Sequence, residues 1–196
     1  MSWEETYTIW NKRPDLAPEV REDLDKIAND KEALEDAFYT PMEFGTAGMR
    51  GLIGAGINRM NIYTVRQATE GLARFMDTLD EETKLRGVAI SYDSRHMSQE
   101  FAFEAARVLG AHGIPSFVFE SLRPTPELSF TVRHLHAYAG IMITASHNPK
   151  QYNGYKIYGE DGAQMPPKES DMITNYIREV DDLFAVEVAD KDALIN

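Results

Sequence analysis

The sequence contains no cysteine, so neither a disulfide framework nor a thiol nucleophile is available in its 196 residues. No apolar stretch approaches the ~20 residues that span a bilayer, and the first residues, MSWEETYTIW, lack the apolar segment of a secretion signal. Basic residues are not in excess either, because 20 Lys and Arg stand against 32 Asp and Glu, a formal charge of −12. Nucleic acids and anionic membranes repel an acidic protein. These absences predict a soluble, cytoplasmic protein with no nucleic-acid or membrane partner.

The apolar pattern that is present predicts an α/β fold. Short apolar runs typical of buried strands alternate with amphipathic helix patterns. The predicted strands lie at 87–92, 116–119, 140–144 and 154–158. Ser98 and Thr125 are predicted to cap two of the helices, the second of which would extend to about His136. This alternation predicts a mixed, largely parallel sheet covered by helices on both faces.

The first 39 residues differ from the rest in their sequence pattern. Ser2 and Glu5 fit a capping box, and helical spacing of apolar residues continues to Phe38. From Pro41 the chain becomes rich in glycine and strand patterns. We therefore expect a helical N-terminal extension, residues 1–39, followed by a domain at 40–196.

The most informative segment follows the strand pattern at 140–144. It reads GIMITASHNPKQYNGYKIYGEDG (140–162) and places Ser146 just beyond the carboxyl end of a core strand, where α/β sheets bind ligands. Pro149 keeps Asn148 out of helical geometry. A serine needs a base or a cation to become a nucleophile. Adjacent side chains of an extended chain point to opposite sides, so His147 is not expected to be the base for Ser146.

Two cationic residues make phosphate chemistry the better interpretation. Lys156 lies on the next strand, and Arg50 lies in the glycine-rich GTAGMRG. Phosphoryl transfer depends mainly on positioning and on cationic stabilisation of the transferred group, and a planar guanidinium suits phosphoryl oxygens. The sequence thus indicates a phosphate site around Ser146.

Three motifs at these residues resemble a known family. FGTAGMRG (44–51), TASHNP (144–149) and YNGYK (152–156) resemble signature motifs of the α-D-phosphohexomutases, the phosphoglucomutase/phosphomannomutase family. SYDSRHMS (91–98) and PTPEL (124–128) are similar to further family segments, in the expected order. The likeness extends over about residues 40–180.

The resemblance implies that the domain is the N-terminal phosphoserine domain of such an enzyme. Ser146 would carry a phosphoryl group and exchange it with a hexose phosphate through a 1,6-bisphosphate, with Lys156 assisting proton transfer and Arg50 contacting the phosphate. His147 and Asn148 would complete the substrate-binding surface. Glucose 1,6-bisphosphate would be the activating phosphoryl donor, and Mg²⁺ would bind partly through phosphorylated Ser146. Asp93 and Arg95 are expected to support this loop from beneath.

Three family segments are not found: the D-G-D-x-D-R metal loop, the sugar-selecting G-E-x-S loop and the R-x-S-G-T phosphate loop. We therefore expect the chain to be inactive alone and to work with the remaining domains of a full-length mutase. The sugar, whether glucose, mannose, glucosamine or a pentose, is left undetermined. Two alternatives stay open. One is a non-catalytic sugar-phosphate-binding or assembly module of the same fold, and the other, from Ser-His adjacency alone, is a serine hydrolase.

Overall fold

A five-stranded sheet with helices on both faces organises the chain in a computed structural model, which describes residues 1–45 and 48–191. The strands are β1 Met49–Leu52, β2 Val88–Tyr92, β3 Ser116–Val118, β4 Ala139–Ile143 and β5 Tyr152–Tyr158. The helices are α1 Trp3–Lys12, α2 Pro18–Ile27, α3 Lys31–Phe38, α4 Ile62–Met76, α5 Glu81–Leu85, α6 Ser98–Ala111, α7 Thr125–His134 and α8 Pro167–Arg178. No helix in this described part of the chain is long and apolar enough to cross a membrane.

The strand order is β1-β5-β4-β2-β3. β2 pairs in parallel with β3 and with β4, whereas β5 is antiparallel to both β4 and β1. Within the described sheet, β5 is thus the strand that runs against the others, which confirms the predicted mixed, largely parallel sheet. All residues of β2 and β4 are buried, which explains why VAISY and AGIMI contain almost no polar residues.

The two faces of the sheet are covered by different helices. Ile90, Ile141 and Tyr155 belong to the large core formed with α4, α6 and α8. On the opposite face, α7 packs Leu128 and Val132 against β2 and β4. Residues alternate between faces along a strand, so the parity of each position decides which core it joins.

The N-terminal helices form a second apolar cluster around Trp10. The indole makes edge-to-face contacts with Phe38, Tyr63 and Phe184 at ring-centre distances of 5.6, 5.5 and 5.1 Å. Tyr63 belongs to α4, so this cluster joins the first three helices to a helix that covers the sheet. The predicted capping box is confirmed, because the Ser2 side chain accepts from the Glu5 N–H and the Glu5 carboxylate accepts from the Ser2 N–H.

Two helix-start predictions were wrong by one position. Ser98 is the first residue of α6 and not its N-cap; the cap is Met97, in the left-handed conformation at φ +62°. Thr125 is likewise the first residue of α7, capped by Pro124 without a side-chain hydrogen bond, and α7 ends at His134. The short helix α5 was not predicted. The Ser98 hydroxyl is used elsewhere, in the network described below.

Candidate active site

Two loops leave the same edge of the sheet. β2 and β4 are parallel neighbours, so the segments that follow them emerge side by side at the strands' carboxyl ends. The Thr144 hydroxyl, one residue beyond β4, donates to Asp93 Oδ2, one residue beyond β2, at 2.6 Å. This hydrogen bond joins the two loops at their base.

An unusual backbone conformation keeps the side chain of Ser146 exposed. Its φ is +56°, in the left-handed region that costs an L-residue about 1–2 kcal/mol. Its N–H donates to Thr144 Oγ1 at 2.9 Å, and the Asn148 N–H donates to the Ala145 carbonyl at 3.1 Å, which closes a turn. The serine side chain is exposed as a result.

The turn also changes how Ser146 lies relative to His147. The expectation that the two side chains point to opposite sides was wrong, because the chain is not extended at Ser146; Oγ lies 3.4 Å from His147 Nδ1. That separation is beyond the usual range of O–H···N hydrogen bonds. It gives no support to a hydrolase-type serine–histidine pair.

Arg95 supports the loop from beneath, as expected for Asp93 and Arg95. Its two terminal nitrogens donate to four backbone carbonyls of one segment, residues 146–152, which we call the serine loop. The acceptors are the carbonyl oxygens of Ser146 (2.6 Å), Asn148 (2.8 Å), Pro149 (3.0 Å) and Tyr152 (3.2 Å). Arg95 Nε lies 3.3 Å from Asp93 Oδ2. The loop is therefore fixed through its main chain.

A second connection runs back from the YNGYK segment. The buried Asn153 donates from Nδ2 to the Ser98 hydroxyl at 2.9 Å and to the His96 carbonyl at 3.0 Å. The Ser98 hydroxyl in turn donates to Asp93 Oδ1 at 2.9 Å. The asparagine of this motif thus links β5 to the loop after β2.

The pairing of β1 with β5 brings two cations to one face. Arg50 lies opposite Gly154, and Lys156 is two positions further along β5, so Arg50 and Lys156 share a face of the sheet. Arg50 Nη1 donates to Asn148 Oδ1 at 2.8 Å. A Cβ at Gly154 would lie 2.6 Å from the Thr144 carbonyl oxygen, so glycine is needed for this close approach.

The exposed side of Ser146 faces a hollow of about 370 Å³. Its lining residues are Asp93, Ser94, Arg95, His96, Ser146, Asn148 and Lys150. Of the predicted site residues, Ser146 and Asn148 line the hollow and Arg50 reaches it through Asn148. Lys156 and His147 are not in its wall. The sequence reasoning did not assign His96 or Lys150 to the site, although His96 lies in SYDSRHMS and Lys150 directly follows TASHNP.

The charges around Ser146 are unbalanced. In the described ranges, Arg50, Lys150 and Lys156 form no ion pair with a carboxylate, although the protein carries a net charge of −12. Cations without counterions create a local positive potential that attracts anions. This edge of the sheet is suited to an anionic ligand.

A family model described as phosphoglucomutase/phosphomannomutase, alpha/beta/alpha domain I, matches residues 41–183. The chain belongs to this family. A phosphoglucomutase of Staphylococcus aureus (strain bovine RF122 / ET3-1) is 46% identical over 153 residues, which are 78% of this chain and 27% of the relative. The chain thus spans about a quarter of the length of the curated phosphoglucomutases it matches.

Solved structures of the family have the same fold. A protein of Thermus thermophilus described as a phosphomannomutase superposes with a TM-score of 0.62 at 33% identity, covering 70% of this chain and 30% of that one. The Paramecium phosphoglucomutase pp63/parafusin gives a TM-score of 0.57 at 22% identity, covering 72% of this chain and 26% of that one. The second likeness is evidence for the fold alone.

The family resemblance implied Mg²⁺, and the described residues do not form a site for it by themselves. They contain no group of three or more His, Asp or Glu side chains able to hold a metal ion. Asp93 lines the hollow, but its oxygens already accept from Thr144, Ser98 and Arg95. Thr46 and Ala47 of the FGTAGMRG motif, and residues 192–196, lie outside the described residues.

Proposed function

We propose that this chain is the phosphoserine domain of a phosphohexomutase, with Ser146 as the phosphoryl carrier. The observation that carries the proposal is an exposed serine, held in a left-handed turn at the carboxyl edge of the sheet, near cations that have no carboxylate partner among residues 1–45 and 48–191. Membership of the phosphoglucomutase/phosphomannomutase family supports it. The proposal includes an N-terminal helical extension at 1–39, the domain at 40–196 and a cytoplasmic location.

The proposed reaction is a phosphoryl exchange. The bond between phosphorus and Ser146 Oγ breaks while phosphorus bonds to a free hydroxyl oxygen of a hexose monophosphate, whose proton is released. Serine Oγ gains a proton, and the sugar becomes a 1,6-bisphosphate. Reversal with the other phosphate of this bisphosphate restores the phosphoserine and releases the isomeric monophosphate.

The surrounding residues have distinct proposed roles. Arg50 would bind phosphoryl oxygens through its guanidinium, and it also orients Asn148. Lys156, half-buried on the same face, would stabilise charge and assist proton transfer between the hydroxyl and Ser146. His147 and Asn148 would contact the ligand from the turn. Water is a competing acceptor, so the bound sugar must fill the open hollow for transfer to be selective.

Other parts of the family architecture would complete the site. Mg²⁺ would supply charge neutralisation at the phosphate, and phosphorylated Ser146 would be one of its ligands. We expect its other ligands, and the groups that select the sugar, to come from domains of the kind that make up the rest of the relatives' length. On this proposal the chain alone does not turn over, and glucose 1,6-bisphosphate is its phosphoryl donor.

The proposal is tested by phosphorylating the protein at its natural length with glucose 1,6-bisphosphate and locating the added mass by peptide mapping. We expect one phosphate on Ser146, none in Ser146→Ala, and normal labelling in Ser94→Ala, which removes another exposed hydroxyl of the same hollow. No labelling, or labelling at Ser94, would refute it. Labelling without interconversion of hexose phosphates would favour the non-catalytic module of the same fold.

A further inference from the structure

We infer that Arg95 is a positioning residue for the phosphoryl carrier, whose guanidinium fixes the backbone of the serine loop so that Ser146 faces the hollow. The inference rests on the proposed function of Ser146. Its basis is the pattern of donors: the terminal nitrogens of Arg95 make four hydrogen bonds, and every acceptor is a main-chain carbonyl between residues 146 and 152.

This pattern requires the shape of a guanidinium. Arginine has five N–H donors in a rigid planar fork, whereas lysine has three donors on a single atom. Arg95 Nη1 bonds Pro149 and Tyr152, Nη2 bonds Ser146 and Asn148, and Nε faces Asp93. An ammonium group at one point cannot reach carbonyls distributed along seven residues of loop.

The backbone conformation of Ser146 explains why the hydrogen bonds from Arg95 to the serine loop are needed. A residue in the left-handed region persists there only when its surroundings over-determine the conformation. The Ser146 carbonyl is drawn to Arg95 while the Ser146 N–H is held by Thr144, so both peptide groups flanking the serine are anchored. With these groups anchored, the side chain remains exposed at the hollow.

Arg95 is also poorly suited to bind the ligand by charge. Its side chain is 13% exposed and already faces the Asp93 carboxylate, unlike the exposed Arg50, which has no carboxylate partner in the described residues. Asp93 is itself held by the Arg95 N–H and the Ser98 hydroxyl. Arg95 therefore acts through geometry, and preserving its charge should not preserve its effect.

The experiment compares Arg95→Lys and Arg95→Ala with wild type at natural length. Arg21→Lys is the matched control, because Arg21 also donates to two backbone carbonyls, those of Asn11 and Arg13, far along the chain from the serine loop. The readouts are the rate of Ser146 phosphorylation by glucose 1,6-bisphosphate, its rescue by guanidinium or methylammonium ions, and amide hydrogen exchange at Ser146 and Asn148.

We expect both Arg95 variants to phosphorylate about 100-fold more slowly, the loss typical of a small misplacement of a reacting group. Guanidinium should restore part of the rate in Arg95→Ala, and methylammonium should not. Exchange at Ser146 and Asn148 should accelerate in both variants while the amides of β4 keep their protection. Arg21→Lys should match wild type in every readout.

The outcomes separate the two proposals. Phosphorylation of Arg95→Lys at nearly the wild-type rate would overturn the positioning role and leave the function of Ser146 intact. Equal rescue by methylammonium would overturn it too, since charge alone would then suffice. If wild type is not phosphorylated, the proposed function fails; unchanged amide exchange in Arg95→Lys would overturn the positioning role whatever the chemistry of Ser146.

Discussion

The charged side chains between α4, α5 and α6 are arranged differently from those around Ser146. His112 lies 2.9 Å from Glu70 and 2.6 Å from Asp77, and Asp77 also meets Lys84 at 2.8 Å. Around Ser146, the cations Arg50, Lys150 and Lys156 have no carboxylate partner in the described ranges. The first cluster uses its charges to hold helices together.

The pKa directions of Glu70 and His112 follow from the pairing in the first cluster. Hydrogen bonding to Glu70 raises the pKa of His112, an effect that burial opposes and Asp77 reinforces. The pKa of Glu70 is lowered chiefly by its hydrogen bond to His112, against the effect of burial. Mutual pairing therefore stabilises the charged forms. The cations near Ser146 that form no ion pair in the described residues instead leave a positive potential for an anion.

The comparison predicts that removing an unpaired cation costs activity and not stability. Arg50→Met should slow phosphorylation of Ser146 about 1,000-fold, the lower range for loss of an arginine that stabilises phosphoryl transfer. The melting temperature should stay within a degree or two of wild type, since no ion pair is lost. Rapid-quench labelling and calorimetry measure the two quantities.

The control for this variant is Arg74→Met, which removes an arginine paired with Glu70 at 2.7 Å. It should lower stability slightly and leave labelling unchanged. Equal loss of labelling in the two variants would contradict the distinction between the clusters.

A carboxylate placed beside Arg50 should turn this cation into a paired one, like those of the His112 cluster. In Asn148→Asp, the oxygen that accepts from Arg50 becomes a carboxylate, which occupies the guanidinium and repels phosphate. We expect phosphorylation to slow about 10- to 100-fold, while the exposed pair adds no more than about 1 kcal/mol to the free energy of unfolding. Asn148→Ser, which adds no charge, is the control; an equal loss there would show that shape, and not charge, is responsible.

Breaking the paired cluster should affect stability alone. His112→Gln removes an imidazolium held by Glu70 and Asp77 and should lower the free energy of unfolding by about 1–3 kcal/mol near pH 6. Because the folded-state pKa of His112 is raised, its contribution is complete below the unfolded value of about 6.5 and is lost as pH rises through the folded value. Urea unfolding between pH 6 and 9 should show the difference shrinking with pH.

On the acid side the sign reverses. The lowered pKa of Glu70 gives stability that is present above its unfolded value and lost as pH falls through the folded one. The Glu70–His112 pair therefore contributes its full stabilisation at pH values between the unfolded-state pKa of Glu70 and that of His112. A difference between wild type and His112→Gln that grows above pH 8 would contradict this account.

The smallest effect is expected for Lys84→Met at the rim of the same cluster. In its ion pair with Asp77, the Asp77 side chain is 37% exposed and the Lys84 side chain is 17% exposed. We expect a loss below about 1 kcal/mol that diminishes further in high salt. Denaturation at low and high ionic strength measures it, and a loss as large as that of His112→Gln would mean that Lys84 is central to the cluster.

Much of the fold could be predicted from short segments of the sequence. The apolar runs at 87–92 and 140–144 predicted two buried strands, and the Ser2–Glu5 capping box predicted the first helix. The placement of Ser146 beyond β4 followed from the same pattern. Ser98 was misread as a cap because its hydroxyl bonds Asp93 and Asn153, the second of which is 55 residues away.

The sequence by itself determined most of the segments that become strands and helices, and the position of Ser146 beyond a core strand, because apolar periodicity and proline geometry act within a few residues. The tertiary structure alone decided the left-handed turn at Ser146, the contact of Arg50 with Asn148 across 98 positions, and the clamp by Arg95 across more than 50. It also placed His96 and Lys150 beside the serine. These features depend on which strands become neighbours, and strand order is set by packing of the whole sheet.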